Sequence, residues 1–176
     1  MQIHQDTAKP WHMLVLEAEA KLNAHLDESL ESYLVFMLMR HLRDASLVRN
    51  TLALAFLEGL HKQGSARALA MQCVGDQCLL YAGFFQEQAR RRHVGVDYFV
   101  NIGRSAYGQL PEAPFDALSA HFVLLMDVLA QIRAMDGSRQ MHMLDLQELW
   151  EQTDSHFAAN TLREGGVVPI KITTCH

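Results

Sequence analysis

Apolar residues recur along this chain at spacings of three and four almost throughout, and the breaks between the runs predict where helices start and stop. Trp11, Leu14, Val15, Ala18 and Leu22 share one face of a first helix opened by Pro10, whose missing N–H suits a first turn. After a break at Asn23 to Leu26, Asp27 is expected to cap a second helix with Glu28 and Glu31 in its first turn, where the helix dipole favours negative charge. That helix carries Leu30, Leu34, Met37 and Leu38 inward and is apolar nearly all round in its second half, which predicts a central position.

Residues Asp44 to Asn50 read as a loop, Thr51 as the cap of a third helix through Leu60, and Gly64 as its stop. Ser65 opens a fourth helix with Leu69, Ala70, Cys73, Leu80 and Tyr81 along one side, closed by Gly83-Phe84-Phe85. Gly75 inside it costs roughly 1 kcal/mol against alanine, so a kink or a close helix contact is expected there. A linker around Arg90 to Gly95 leads to a fifth helix with Phe99, Ile102, Ala106 and Leu110 inward, and Pro111 and Pro114 end it. Phe115, Leu118, Phe122, Leu125, Leu129 and Ile132 then form a regular seam that predicts near-antiparallel packing on a neighbour, up to Gly137-Ser138. A last helix from about His142 to Leu162 buries Leu146, Leu149, Trp150, Thr153 and Phe157. Gly165-Gly166 stops it and leaves VVPIKITTCH as an extended tail that could strap the bundle.

These runs predict an all-α fold, a single-domain bundle of about six or seven helices spanning residues 1–176. The 176-residue length sits within the usual range of one domain. No alternating strand, internal repeat or low-complexity tract is visible. The longest uninterrupted apolar run, Tyr33 to Met39, has seven residues, against the roughly 18 that a membrane-spanning helix needs. The N-terminal MQIHQDTAKPWHM lacks a basic stretch followed by an apolar one, so a signal peptide is not expected and the cytoplasm is the expected location. Three cysteines without framework spacing agree with that.

A net charge of −5 gives no general attraction to phosphate backbones, so nucleic acid is not an expected partner. The one basic cluster, Arg90-Arg91-Arg92-His93, reads as a solvated linker before it reads as a site for an acidic or phosphorylated partner. Between Glu112 and Glu164 stand nine acidic residues and three arginines, an acidic C-terminal face.

Gly75-Asp76, Leu80-Tyr81, Gly83-Phe84-Phe85, Val96-Asp97-Tyr98, Gly103 and Ala106-Tyr107 together form a pattern that resembles a family of uncharacterised bacterial helical proteins. The resemblance covers roughly the central forty residues and extends more loosely to Glu31-Ser-Tyr33-Leu-Val35. Gln86 departs from it, standing where a proline would follow the paired phenylalanines. The resemblance implies an all-helical fold and carries no activity, cofactor or site.

Within that central stretch, Asp76, Tyr81, Asp97, Tyr98, Arg104 and Tyr107 are the candidate binding residues. They would form either a structural hydrogen-bond network, the favoured reading, or the polar floor of a pocket between the fourth and fifth helices. Glu58-x-x-His61 matches half of a carboxylate-bridged di-iron motif, but no second copy exists, so Glu58 and His61 are weak metal candidates and no metal site or cofactor is predicted. Cys73 and Cys78 are five apart, about 140° around a helix, so they should pack in the core and not pair. Cys175-His176 offers a loose thiol. No catalytic residue is predicted, since neither a phosphate loop nor a zinc-protease or nucleophile-elbow motif occurs. Nine methionines could line an adaptable groove, although filling core gaps is commoner. The function expected is therefore that of a non-enzymatic interaction or regulatory module, self-associating as a dimer and possessing a protein partner. The alternative is a small-molecule or metal-binding helical protein, conceivably an enzyme.

Overall fold

The computed structural model describes residues 3–43, 51–91, 94–137 and 141–171, and among these residues there are ten helices and no strand. They are α1 (Ile3–Leu22), α2 (Glu28–Arg43), α3 (Leu52–Leu60), α4 (Gly64–Gly83), α5 (Gln86–Arg91), α6 (Val96–Tyr107), α7 (Phe115–Ala120), α8 (Phe122–Met135), α9 (Met143–Thr153) and α10 (His156–Glu164). The loop expected at Asp44 to Asn50 and the terminal Cys175-His176 lie outside the described residues, apart from the helix boundaries that flank them.

The count exceeds six or seven because two predicted helices divide and a further helix forms in the expected linker. His121 adopts φ −99° and ψ 19°, outside the helical range, so the seam from Phe115 to Ile132 turns a corner between α7 and α8. The last predicted helix is cut at Asp154, which takes a left-handed φ of 57° and closes α9, and at Ser155, whose Oγ accepts the Ala158 N–H and opens α10. The supposed linker at Arg90 begins as a helix, α5, and Arg90 forms an ion pair with Asp145 of α9. At the N-terminus, α1 begins before Pro10 and runs through it.

The core follows the predicted faces closely. Val15, Ala18 and Leu22 of α1 are buried, as are Leu30, Leu34, Met37 and Leu38 of α2 and Phe99, Ala106 and Leu110 in and after α6. The centre is not α2, whose Phe36 remains exposed, but α4 and α8. Every residue of α4 from Val74 to Gly83 is buried, and so are those of α8 from Leu125 to Ala130. Near the start of α4, which packs against α3, Leu69 and Cys73 are exposed where core positions were expected. Cys78, deeper in the same helix, is buried, and burial alone pushes its thiol pKa far up.

Glycine lets α4 and α6 lie close. A Cβ on Gly75 would stand 2.5 Å from Cε1 of Tyr107, and one on Gly103 would collide with the Phe122 ring and come within 2.9 Å of the Cys78 Cβ. The Tyr107 ring therefore occupies the space that a side chain at position 75 would need. Gly75→Ala should destabilise the fold by about 1–3 kcal/mol, the usual cost of overpacking a filled core. Urea unfolding of the two proteins measures it, and equal midpoints would remove the close-packing role.

Candidate functional site

The most concentrated polar chemistry in the core is built around Asp76, which has no solvent-accessible surface. A carboxylate removed from water must be neutralised or hydrogen-bonded, since alone it costs several kcal/mol. Its Oδ1 accepts from the Tyr33 hydroxyl at 2.6 Å and the Tyr107 hydroxyl at 2.8 Å. Its Oδ2 is held by the Arg40 guanidinium, and His41 Nε2 stands 3.4 Å away. Tyr33, Arg40 and His41 come from α2, Asp76 from α4 and Tyr107 from α6, so one side chain ties three helices.

The surroundings complete the shell. Gln72 Nε2 donates to the Tyr33 hydroxyl at 3.2 Å. Tyr33 meets Tyr107 and Phe115 edge-on, while Tyr107 stacks on Phe115 at a centroid distance of 6.1 Å. Burial, and then the negative charge of Asp76, push both tyrosine hydroxyls well above their ordinary pKa, so they remain protonated donors. A carboxylate offers about four acceptor positions. Three donors, Tyr33, Tyr107 and Arg40, are engaged here with the His41 ring beside them, which leaves Asp76 suited to holding helices together.

Of the six residues singled out in the central stretch, only Asp76 and Tyr107 meet. Tyr81 and Tyr98 flank Phe99 instead, Tyr81 stacked at 5.4 Å and Tyr98 edge-on at 5.2 Å. The Tyr98 hydroxyl accepts the Ala53 N–H at 3.1 Å, fastening α6 to the start of α3. Asp97 is exposed in the first turn of α6. Arg104 is exposed as well and clasps α7, its Nε donating to the Ser119 carbonyl at 3.2 Å while Ser119 Oγ donates to the Arg104 carbonyl at 2.9 Å. Tyr81 also lines a small cleft of about 60 Å³ with Arg90, Val96, Asp145 and Gln152. Glu58 and His61 are exposed at the end of α3 and belong to no metal-ligating group of three among the described residues.

A second buried acid has no counterpart in the sequence reading. Asp127 of α8 accepts Ser155 Oγ at 2.5 Å, the His156 N–H at 2.7 Å and the Phe157 N–H at 3.3 Å. It thus satisfies the free N–H groups that begin α10, where a negative charge is also favoured by the dipole. Burial outweighs those donors and raises its pKa from 3.8 to about 6. The Asp154-Ser155 pair was the available signal, because such residues commonly stop one helix and start the next.

The chain matches no protein-family model, and neither a curated protein nor a solved structure matches it.

Asp76→Ala should cost about 2–4 kcal/mol, because it leaves the Tyr107 hydroxyl buried and the Tyr33 hydroxyl half-buried without their acceptor, whereas Asp97→Ala at its exposed position should leave stability near that of the parent. Denaturant titration distinguishes these outcomes, and equal losses would contradict the assignment. For Asp127 the pH dependence has a definite sign. Between about pH 4 and about pH 6 the native state keeps a proton that the unfolded chain has released, so stability falls as pH rises, by up to about 1.4 kcal/mol per pH unit, and levels off above that window. Thermal melts across the window should show this decline flattened in Asp127→Asn, and an unchanged slope in that variant would assign it to other groups.

Proposed function

We propose that the protein is a non-enzymatic interaction module of the cytoplasm that self-associates as a dimer. The observation that carries this reading is an open groove of about 1190 Å³ between α5, α8, α9 and α10. Phe84, Phe85, Met141, Met143, Leu146 and Phe157 supply its apolar walls. Methionine and aromatic side chains repack around a partner at little cost, a property of adaptable binding surfaces. Beside the groove, between its lining residues Met143 and Asp145, Leu144 of α9 is 83% exposed, an apolar knob next to an apolar recess. A two-fold dimer needs that combination, since one patch must serve as both donor and receiver of contacts. The exposed Glu148 and Glu151 give α9 an acidic flank, which suits a protein partner with basic groups at the rim.

The small-molecule alternative between α4 and α6 has less support. The Asp76 carboxylate is already engaged by Tyr33, Tyr107 and Arg40, with His41 Nε2 3.4 Å away. The cleft at Tyr81, about 60 Å³, is far below the roughly 300–1,000 Å³ of ligand pockets. Nucleic-acid binding is disfavoured as well, because Arg90 is engaged by Asp145. No helix among the described residues is long and apolar enough to cross a membrane.

Sedimentation equilibrium over a wide concentration range should reveal a reversible dimer, and Leu144→Asp should shift it toward monomer without altering the helical circular dichroism signal. A protein that stays monomeric at the highest concentration would defeat the proposal.

A further inference from the structure

A further polar cluster lies where α1 hands over to α2. Asn23 takes a left-handed φ of 50°, and the Ala24 N–H returns to the Glu19 carbonyl at 3.0 Å. The reversal lets the Leu26 N–H donate to Glu19 Oε1 at 2.5 Å, pinning that carboxylate beneath the turn. His25 is exposed on the turn itself, and Glu31 arrives from the first turn of α2. One ligand atom from each of Glu19, His25 and Glu31 lies within 4.8 Å of the others. His12 Nε2 stands 3.0 Å from Glu31 Oε2.

Both carboxylates are withdrawn from water, Glu19 at 4% and Glu31 at 8% exposure. Glu19 Oε2 is buried and has no hydrogen-bond partner among the described residues, an unsatisfied acceptor of the kind that a bound ion answers. Glu19 and Glu31 each bring a carboxylate oxygen within 4.8 Å of the other, so their charges repel. A bound cation would answer the bare oxygen and the like-charge repulsion together.

We infer that Glu19, His25 and Glu31, with His12 as fourth ligand, form a site for a zinc-type divalent ion. Two imidazoles beside two carboxylates favour zinc and its neighbours over magnesium, which prefers oxygen alone. Bonds of about 2.1 Å in a tetrahedron put ligand atoms about 3.4 Å apart, so Glu19, His25 and Glu31 would close by at most about 1.4 Å around the ion, while the exposed His12 would exchange its Glu31 contact for the metal. The Leu26 N–H holds Glu19 as an outer partner holds a ligating carboxylate. The ion would staple α1 to α2 across their turn.

The test is titration calorimetry of the full chain, stripped with chelator, against zinc chloride and separately magnesium chloride. One equivalent of zinc and little magnesium should bind. His25→Ala, a change at an exposed turn that leaves folding intact, should weaken zinc by about 10- to 100-fold or more, the range found even for partners behind the ligands. His61→Ala at the end of α3 should change nothing. Glu19→Gln removes the charge repulsion, so it should raise the melting temperature of the metal-free protein while abolishing the further rise on adding zinc. Absence of zinc binding to the parent chain would overturn the inference, and so would zinc affinity indifferent to His25→Ala.

Discussion

Asp76 places a full negative charge where no water reaches, and every group that answers it belongs to another helix or another turn. The arrangement constrains more than one bond would. Arg40 must reach inward from a half-exposed position on α2, so its stem lies along the bundle while its head meets the acid. Tyr107 must present its hydroxyl from α6, which fixes the distance between α4 and α6, and the absence of side chains at Gly75 and Gly103 makes that distance attainable. The carboxylate, the tyrosines and the glycines are therefore one device. The glycines permit the approach, the tyrosine rings fill the gap, and the carboxylate sets the register.

Asp127 uses the same currency differently. It lies on the most enclosed helix, and its partners are backbone N–H groups at the start of α10 with the Ser155 hydroxyl. Among the described residues no lysine or arginine is paired with it, and its pKa rises where burial exceeds what three donors return. Asp76 orients helices that already exist, whereas Asp127 decides where one begins. Both acids leave the groove between α5, α8, α9 and α10 as the surface with unspent contact capacity.

Helical periodicity made most of the core legible, because a face repeated at three and four is visible without any partner in view. It failed where the repeat continued across a corner. The spacing from Leu118 to Phe122 is as regular as that from Phe122 to Leu125, yet His121 bends the chain between them. Leu149 and Phe157 likewise fall on one helical face in projection, and the break at Asp154-Ser155 lay hidden beneath that regularity. Asp76 and Tyr107 were visible as a polar pair inside an apolar stretch. Tyr33, Arg40 and His41 were not, since they stand 35 to 43 residues from Asp76 and nothing local marks them as its partners. Glu19, His25 and Glu31 escaped for a related reason, because a search for ligands on one helical face cannot see a set assembled across a turn.

If one carboxylate oxygen couples α2 to α6, the two tyrosines that share it cannot act independently. The most direct measurement is a double-mutant cycle with Tyr33→Phe and Tyr107→Phe, read by denaturant unfolding. Coupling of about 0.5–3 kcal/mol between the two substitutions is predicted, the range for residues joined in one network. Strictly additive losses would contradict it, and Asp76 would then be a local hydrogen-bond acceptor and not the tie between helices.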